Sequence, residues 1–356
     1  MAQTRVNDFE SAMIKATALS RLGRAQEALT LLKETVPSGD DQRLRLLLAK
    51  ADVLQAIGRH AEVRSLLFSD DSFAGASPAL KAELYLRMGE FHQMFNEHED
   101  AMDMFRTCAE AAQNLNDRET LFMCLEAAGE SLRVLEMTAE SDSTLEKAAE
   151  YAVELARESE DPAVVLRAAE NIAINADPDE AVSAFERAME LCREKELKWD
   201  EGHILLARSR FEEFQSDSET AIMLTKRAIS LFREMKSLPA LLAATDQLAS
   251  QYVNADQLEE AVKALETIVQ SSSILGDDFT LLNTIGKCCQ LCFEYGEIER
   301  ALEFLKQIIE ISAERNLKPT FVVGLLREAY RRAGSDLVTA HLGSGFSNYE
   351  EEEYDL

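Results

Sequence analysis

The sequence contains no run of about 18 uninterrupted apolar residues, so it offers no transmembrane helix. Only 14 of its 356 residues are Gly and only 6 are Pro. A β sandwich or barrel needs many tight turns made from such residues, and this chain cannot supply them. Histidine is scarce as well. The five copies (His60, His92, His98, His203, His341) are scattered, and no Gly-rich phosphate loop, GxSxG elbow or HExxH accompanies them. No catalytic residue, cofactor or metal site is therefore expected. Positive charge is also short: 37 Lys+Arg stand against 65 Asp+Glu, a formal charge of −28. That excess repels phosphate backbones and anionic bilayers, so neither nucleic acid nor membrane is an expected partner. It is uneven along the chain, +2 over residues 1–50 and −19 over residues 51–200. A basic partner is its electrostatic complement, and solubility alone is the plainer explanation. The amino-terminal MAQTRVNDFESAMIK lacks the apolar core of a secretory signal. Six cysteines (Cys108, Cys124, Cys192, Cys288, Cys289, Cys292) form no spaced framework, so free thiols in a reducing cytoplasm or nucleus are expected.

What the chain does have is long stretches rich in Ala, Leu and Glu, which favour helix. They carry a period. Gly89, Gly129, Ala169, Ser209, Ala249, Cys289 and Ala329 lie 40 residues apart, and all are small. Ala101, Ser141, Ala181, Ala221, Ala261 and Ala301 form a second column on the same spacing. Phe105, Leu145, Phe185, Thr225, Leu265 and Leu305 form a third, and Cys108, Ala148, Ala188, Ala228, Ile268 and Ile308 a fourth. Two antiparallel helices approach closely only where side chains at the crossing are small. The second small residue lies 12 positions after the first, across a short turn, and the third column is expected to fill the groove between neighbouring copies. Turns are read at Asp177-Pro178, Asp256 and Gly296, with linkers at 114–119, 159–162 and 275–278.

These columns resemble the tetratricopeptide repeat (TPR) family, most clearly in YLRMGEFHQMFNEHEDAMDMFRTCAEAA (85–112) and ADPDEAVSAFERAMEL (176–191). The usual period is 34 residues; this one is longer. The resemblance implies an all-α fold, a right-handed solenoid of antiparallel helix pairs in a TPR-like superhelix. Residues 1–68 read as two less regular pairs, with Gly23 and Gly58 at their turns. Residues 69–79 read as a flexible joint, 80–318 as six 40-residue repeats, and 319–334 as a capping helix. Residues 335–356, with Glu350 to Glu353 between Tyr349 and Tyr354, read as a disordered acidic tail open to modification or to contacts in cis or in trans.

In this family first helices line a concave groove, and the position after the small residue points into it. That column reads Asp52, Glu90, Glu130, Glu170, Arg210, Ser250 and Gln290, with Met94, Arg133, Ile174 and Phe214 about a turn away. The partner-binding candidates are therefore Asp52, Glu90, Glu130, Glu170, Arg210, Met94, Arg133 and Phe214. The Lys/Asn/Arg clamp with which TPR co-chaperones grip heat-shock proteins is absent: Met13, Thr17, Leu48, Asp52, Leu86 and Glu90 occupy its positions. Cys288 and Cys292 share a helix face but are two thiolates short of a structural zinc site, and packing explains them. The expected function is a non-catalytic scaffold or adaptor holding a basic or amphipathic partner segment in an acidic groove. A chaperone for a basic client (ribosomal or histone-like) and a ligand-responsive regulatory receptor are the alternatives.

Overall fold

A helix leaves its last carbonyls unpaired, and the way they are satisfied sets the geometry of the next element. In this chain the same device recurs. Asn96, Asn116, Glu136, Glu196, Ser216, Lys236, Asp256, Gly296 and Asn316 all adopt positive φ, between 53° and 81°. They stand on one 20-residue grid. Each is followed by an amide that reaches back five residues, as in Glu97 N to His92 O (2.9 Å), Asp217 N to Glu212 O (2.9 Å) and Leu317 N to Ser312 O (2.8 Å). This is the Schellman closure, in which a left-handed residue returns the chain to the helix end. The amino-terminal turns at Gly23 and Gly58 close in the same way. Where this closure is described on both sides of a helix, 17-residue helices and three-residue turns give the period of 40; the α8–α9 connection differs, because α8 runs on to Glu158 and ends in extended Ser159.

The computed structural model describes residues 2–69, 73, 75–175, 178–275 and 278–343. Its helices are α1 (Ala2–Arg21), α2 (Ala25–Glu34), α3 (Asp40–Ala56), α4 (His60–Leu67), α5 (Pro78–Met94), α6 (His98–Leu115), α7 (Arg118–Val134), α8 (Thr138–Glu158) and α9 (Pro162–Asn175). They continue as α10 (Pro178–Glu194), α11 (Lys198–Phe214), α12 (Ser218–Glu234), α13 (Leu238–Asn254), α14 (Leu258–Leu275), α15 (Asp278–Glu294), α16 (Ile298–Glu314), α17 (Phe321–Ala333) and α18 (Ser335–Leu342). No strand occurs among the described residues. The fold is all-α, helix pairs stacked as a solenoid. Two compact units are distinguished: Met1–Arg208 with Leu231–Pro239, and Ser209–Ser230 with Ala240–Leu356.

Every member of the first, second and fourth columns is buried, and most have no exposed surface. The third column also packs within its own pair, as three of its members show. A Cβ built on Gly89 would lie 2.4 Å from Phe105, and one on Gly129 would lie 2.4 Å from Leu145. Where the first column holds Ser209, the third holds Thr225, and their hydroxyls share a 2.6 Å hydrogen bond. Members of these pairs are 16 residues apart and nearly equidistant from the turn, so an antiparallel hairpin brings them face to face. Bulk on one helix is matched by its lack on the other.

In the first unit, α1 to α5 share one core around Phe9, Leu32, Leu44, Val63 and Phe91. Residues 70–72 and 74 of the expected joint lie outside the described residues. At its far end Gly75 N donates to Asp40 (2.9 Å) and Ser77 N donates to Asp41 (2.6 Å), tethering the chain to the start of α3. The α1–α2 turn of this unit also meets the start of α11. Arg21 forks onto Asp200 (3.1 and 3.3 Å), its guanidinium lies 4.3 Å over the Trp199 ring, and its carbonyl accepts from Ser237 Oγ (2.5 Å). In the second unit, α17 buries Val322, Leu326 and Ala329. Residues 335–342, assigned to the tail from sequence, form α18, because Val338 and Leu342 complete the core beneath α16 and α17. The remaining tail, from 344 on, lies outside the described residues, as do 176–177 and 276–277 of two expected turns.

The cysteines required a correction. Cys108 on α6 and Cys124 on α7 are joined as a disulfide, with Cα atoms 6.6 Å apart, where six free thiols were expected. They too are 16 residues apart across a turn, which sets two buried small residues opposite each other. The other four cysteines are free and buried.

The size match predicts that Gly89→Ala destabilises the protein by roughly 1–3 kcal/mol despite its better helix propensity, because Phe105 must move. Phe105→Leu added to that variant should recover part of the loss. Thermal unfolding followed by circular dichroism reads both, and an unchanged melting temperature in the single variant would contradict the packing.

Candidate functional site

In the first unit the residues proposed to line the groove do come from successive first helices. Asp52 stands on α3, Glu90 on α5, Glu130 on α7 and Glu170 on α9. They do not form a bare acidic stripe. Arg87, one turn before Glu90, approaches Asp52 (3.8 Å) and Glu90 (3.4 Å). Arg167 of α9 reaches across to Glu126 of α7 (2.5 Å) and on to Glu90 of α5 (3.3 Å). Asn171 donates to the other oxygen of Glu126 (3.1 Å), and Arg133 pairs with Glu130 (2.5 Å). Taking one position per helix missed Glu83, Glu126, Arg167 and Asn171. The signal was the helical period itself: positions three, four and seven residues away share a face. Met94 is exposed on α5, and Arg133 is exposed beside Glu130. Arg210 and Phe214 belong to the second unit, where Phe214 is 82% exposed and Arg210 donates to Gln247 (3.3 Å).

The electrostatics of this cluster are unbalanced. Five carboxylates (Glu10, Asp52, Glu83, Glu90, Glu126) share three guanidiniums, Arg45, Arg87 and Arg167, with Arg45 paired to Glu10 and also acting on Glu83. Protein crowds around Asp52 although more than half its side chain touches solvent, and burial of its charge raises its pKa against the pull of Arg87. Glu83 is raised chiefly by burial as well, with Asp52 adding to the rise and Arg87 and Arg45 opposing it, while Glu90 is the acid that raises Asp52. Arg87 and Arg167 lose solvation too, but their carboxylate neighbours prevail and hold them charged.

The second unit offers a different surface. A cavity of about 840 Å³ opens on its first helices α13, α15 and α17. Phe279, 80% exposed, stands among its lining residues with Phe321, and Gln290, in the column read from sequence, lines it as well. Asp246 and Lys287 pair in its wall (2.5 Å). Glu328 is pulled down to about 2 by Arg331 and Arg332 and stays ionised at neutral pH. Gly324 of α17 faces open space, with nothing within 4 Å of a built Cβ, so packing does not demand its small size and it widens the cavity instead.

The histidines and free cysteines are held by packing. His92 Nδ1 lies 2.6 Å from Glu97, His98 Nδ1 lies 3.4 Å from Ser131 Oγ, and His60 sets its ring against Phe95. His92, Glu97 and Asp100 gather closely enough to share a cation, but Arg64 already forks onto Glu97. Cys289 Sγ donates to the Ala301 carbonyl (3.2 Å), a link between first and second columns.

No protein-family model matches the chain, and no curated protein does. Solved structures do. A signal-transduction ATPase with a tetratricopeptide repeat sensor, from Pyrococcus horikoshii, aligns over 93% of this chain with 13% identity and a TM-score of 0.53. This chain spans 53% of that protein. The apo form of the quorum sensor NprR from B. thuringiensis aligns over 85% of this chain and 86% of its own, with 13% identity and a TM-score of 0.50. The chain has the TPR-like solenoid fold. A Rap protein complexed with Competence and Sporulation Factor also aligns, over 98% of this chain and 99% of its own, at 14% identity and a TM-score of 0.47. No helix among the described residues is long and apolar enough to cross a membrane.

Burial pushes the thiols of Cys288 and Cys289 up to about 12 and that of Cys292 to about 11. The thiolate is the reactive form, so iodoacetamide at pH 8 should leave all three unmodified in the folded protein and modify them after denaturation. Mass spectrometry of peptides from both samples checks this, and rapid native labelling would refute a packing role.

Proposed function

We propose that the protein is a non-catalytic interaction scaffold whose first unit holds a basic or amphipathic partner segment on the face formed by α3, α5, α7 and α9. The observation that carries this reading is the surplus of carboxylates around Arg87 and Arg167. Asp52 and Glu83 bear charges that the surrounding protein desolvates without fully neutralising, and a partner's lysine or arginine would relieve that cost. Glu90, Glu130 and Glu170 extend the surface along the array, and Met94 and Arg133 border it. The interleaved arginines make the recognition selective: a partner must place cations where the carboxylates are and spare Arg87 and Arg167. In the second unit, Arg210 and Phe214 are contacts of the same kind on α11.

A second reading, a ligand-responsive receptor, draws on the cavity of the second unit. Its size and exposed aromatic ring suit a short peptide with an apolar anchor. The quorum sensor and the repeat sensor among the structural neighbours are named for sensing, and they share the fold alone. A chaperone for a basic client would use the same first-unit carboxylates as the scaffold, with affinity falling more steeply as salt rises.

A fluorescein-labelled lysine–leucine amphipathic peptide serves as the probe. Anisotropy should show saturable binding to the full chain, reduced about tenfold or more when Asp52 and Glu83 are both changed to Lys, a loss set by charge reversal at a partly desolvated site. Equal binding by the variant would overturn the reading.

The pH dependence carries a second signature. Because Asp52 and Glu83 are raised, the folded chain holds these protons more tightly than the unfolded chain does. Acidification through their raised range should therefore weaken peptide binding while it increases the stability contributed by this pair. Asp52→Asn with Glu83→Gln should remove both effects. Chemical denaturation and anisotropy across the acidic range compare the two proteins, and parallel pH profiles would exclude the pair as the cause.

A further inference from the structure

In the first unit of this strongly acidic chain, one cleft among the described residues gathers three cations, two of them without partners. A cleft of about 250 Å³ lies among α2, α3 and α4, lined by Leu29 and Lys33 from α2, Lys50 and Leu54 from α3, Arg59 at the turn, and Ser65 from α4. Leu29 and Leu54 are buried and give it an apolar floor. Its one carboxylate, Glu62, is taken up by Arg59 in an i,i+3 pair. Among the described residues, neither Lys33 nor Lys50 has a hydrogen-bond or ion-pair partner. The two ammonium groups act on each other: burial lowers the pKa of Lys50, and the charge of Lys33 lowers it further. Elsewhere in the first unit, cations such as Arg45, Arg64, Arg118 and Arg167 are matched to carboxylates. Lys33 is exposed and Lys50 half-buried, so water solvates both in part, but their mutual repulsion beside an apolar floor is relieved when an anion enters the cleft.

We infer that this cleft is a binding site for a phosphate monoester carried on an apolar body, with Lys33 and Lys50 on the phosphoryl oxygens and the leucines beneath the attached group. Two unpaired cations call for a dianion; a single carboxylate would leave one of them unmatched. Charge-assisted hydrogen bonds to phosphoryl oxygens are the strong kind, and the Ser65 hydroxyl lies in the wall as a further donor. The site lies on α2, α3 and α4, apart from the carboxylate cluster of the proposed partner-binding face, so it stands or falls independently of that reading.

The test is calorimetric titration of the full chain with phenyl phosphate, phenylacetate and inorganic phosphate at one fixed ionic strength. Phenyl phosphate should bind one saturable site. Phenylacetate, with one charge, and inorganic phosphate, with no apolar body, should each bind at least about tenfold more weakly, about the weight of one charge-assisted contact. Lys50→Met should weaken phenyl phosphate by about tenfold or more. Lys33→Glu, at an exposed position whose change leaves the core intact, should abolish binding. Circular dichroism melts confirm that each variant is folded. Absence of saturable binding, equal affinity for phenylacetate, or unchanged affinity in folded Lys33→Glu would each overturn the assignment. A peptide bearing phosphotyrosine, compared with its unphosphorylated form, distinguishes the sources. Tighter binding than phenyl phosphate indicates a phosphorylated protein, and weaker binding indicates a small phosphate ester.

Discussion

The structure depends on how closely two antiparallel helices can approach. At each crossing in the regular array a residue of minimal size on the first helix accepts the body of a residue 16 positions later on the second. Gly89 receives Phe105 and Gly129 receives Leu145. Ser209 and Thr225 make a polar version of the same contact, and Ser209 also accepts amide hydrogens from Gln247 (2.9 Å) and Gln251 (2.6 Å). A helix interior tolerates glycine poorly, at about 1 kcal/mol relative to alanine. Gly89 and Gly129 are therefore held there by the bulk opposite them. Because close approach in one pair leaves apolar side chains to cover in the next, burial propagates along the array without a single central core.

Much of this was legible in the sequence, since small residues in phase survive as letters. The columns headed by Gly89, Ala101 and Cys108 are all buried, in both units. Two things were hidden. The 20-residue grid of turns was obscured because the left-handed position is filled by Asn, Glu, Ser, Lys or Asp at most turns, and only Gly296 of the regular array announces it. The pairing of Cys108 with Cys124 was hidden for a related reason: a linker was read at 114–119, but distance across a hairpin depends on the exact residue at which the chain turns, here Asn116, midway between the two cysteines. Helix α18 was missed because eight residues with two buried apolar side chains fall below what periodicity can distinguish from a tail.

The charge pattern shows where reading one position per helix fails. Asp52, Glu90, Glu130 and Glu170 do follow the small column, but a helix face is wider than one row. Arg87 and Arg167 enter from adjacent turns and convert a stripe into a lattice of ion pairs that spans α3 to α9. Surface pairs of this kind contribute little to stability, at most about 1 kcal/mol each. In the proposed reading their weight falls on selectivity, because they decide which carboxylates remain available to a partner. In the second unit the inner helices carry Phe279 and the open space at Gly324 in place of this lattice, so the two units present chemically different surfaces on the same scaffold.

The likeness of the left-handed connections has a consequence for how such a chain can change over time. At the bends that share the left-handed closure, nothing distinguishes a first helix from a second one; only the residue columns do. Excision of forty residues would splice like onto like and merely shorten the coil. Excision of twenty would join equally well at such a bend, yet it would put every later first-helix residue at a second-helix position. Growth and loss by whole pairs is the only bookkeeping that this architecture forgives.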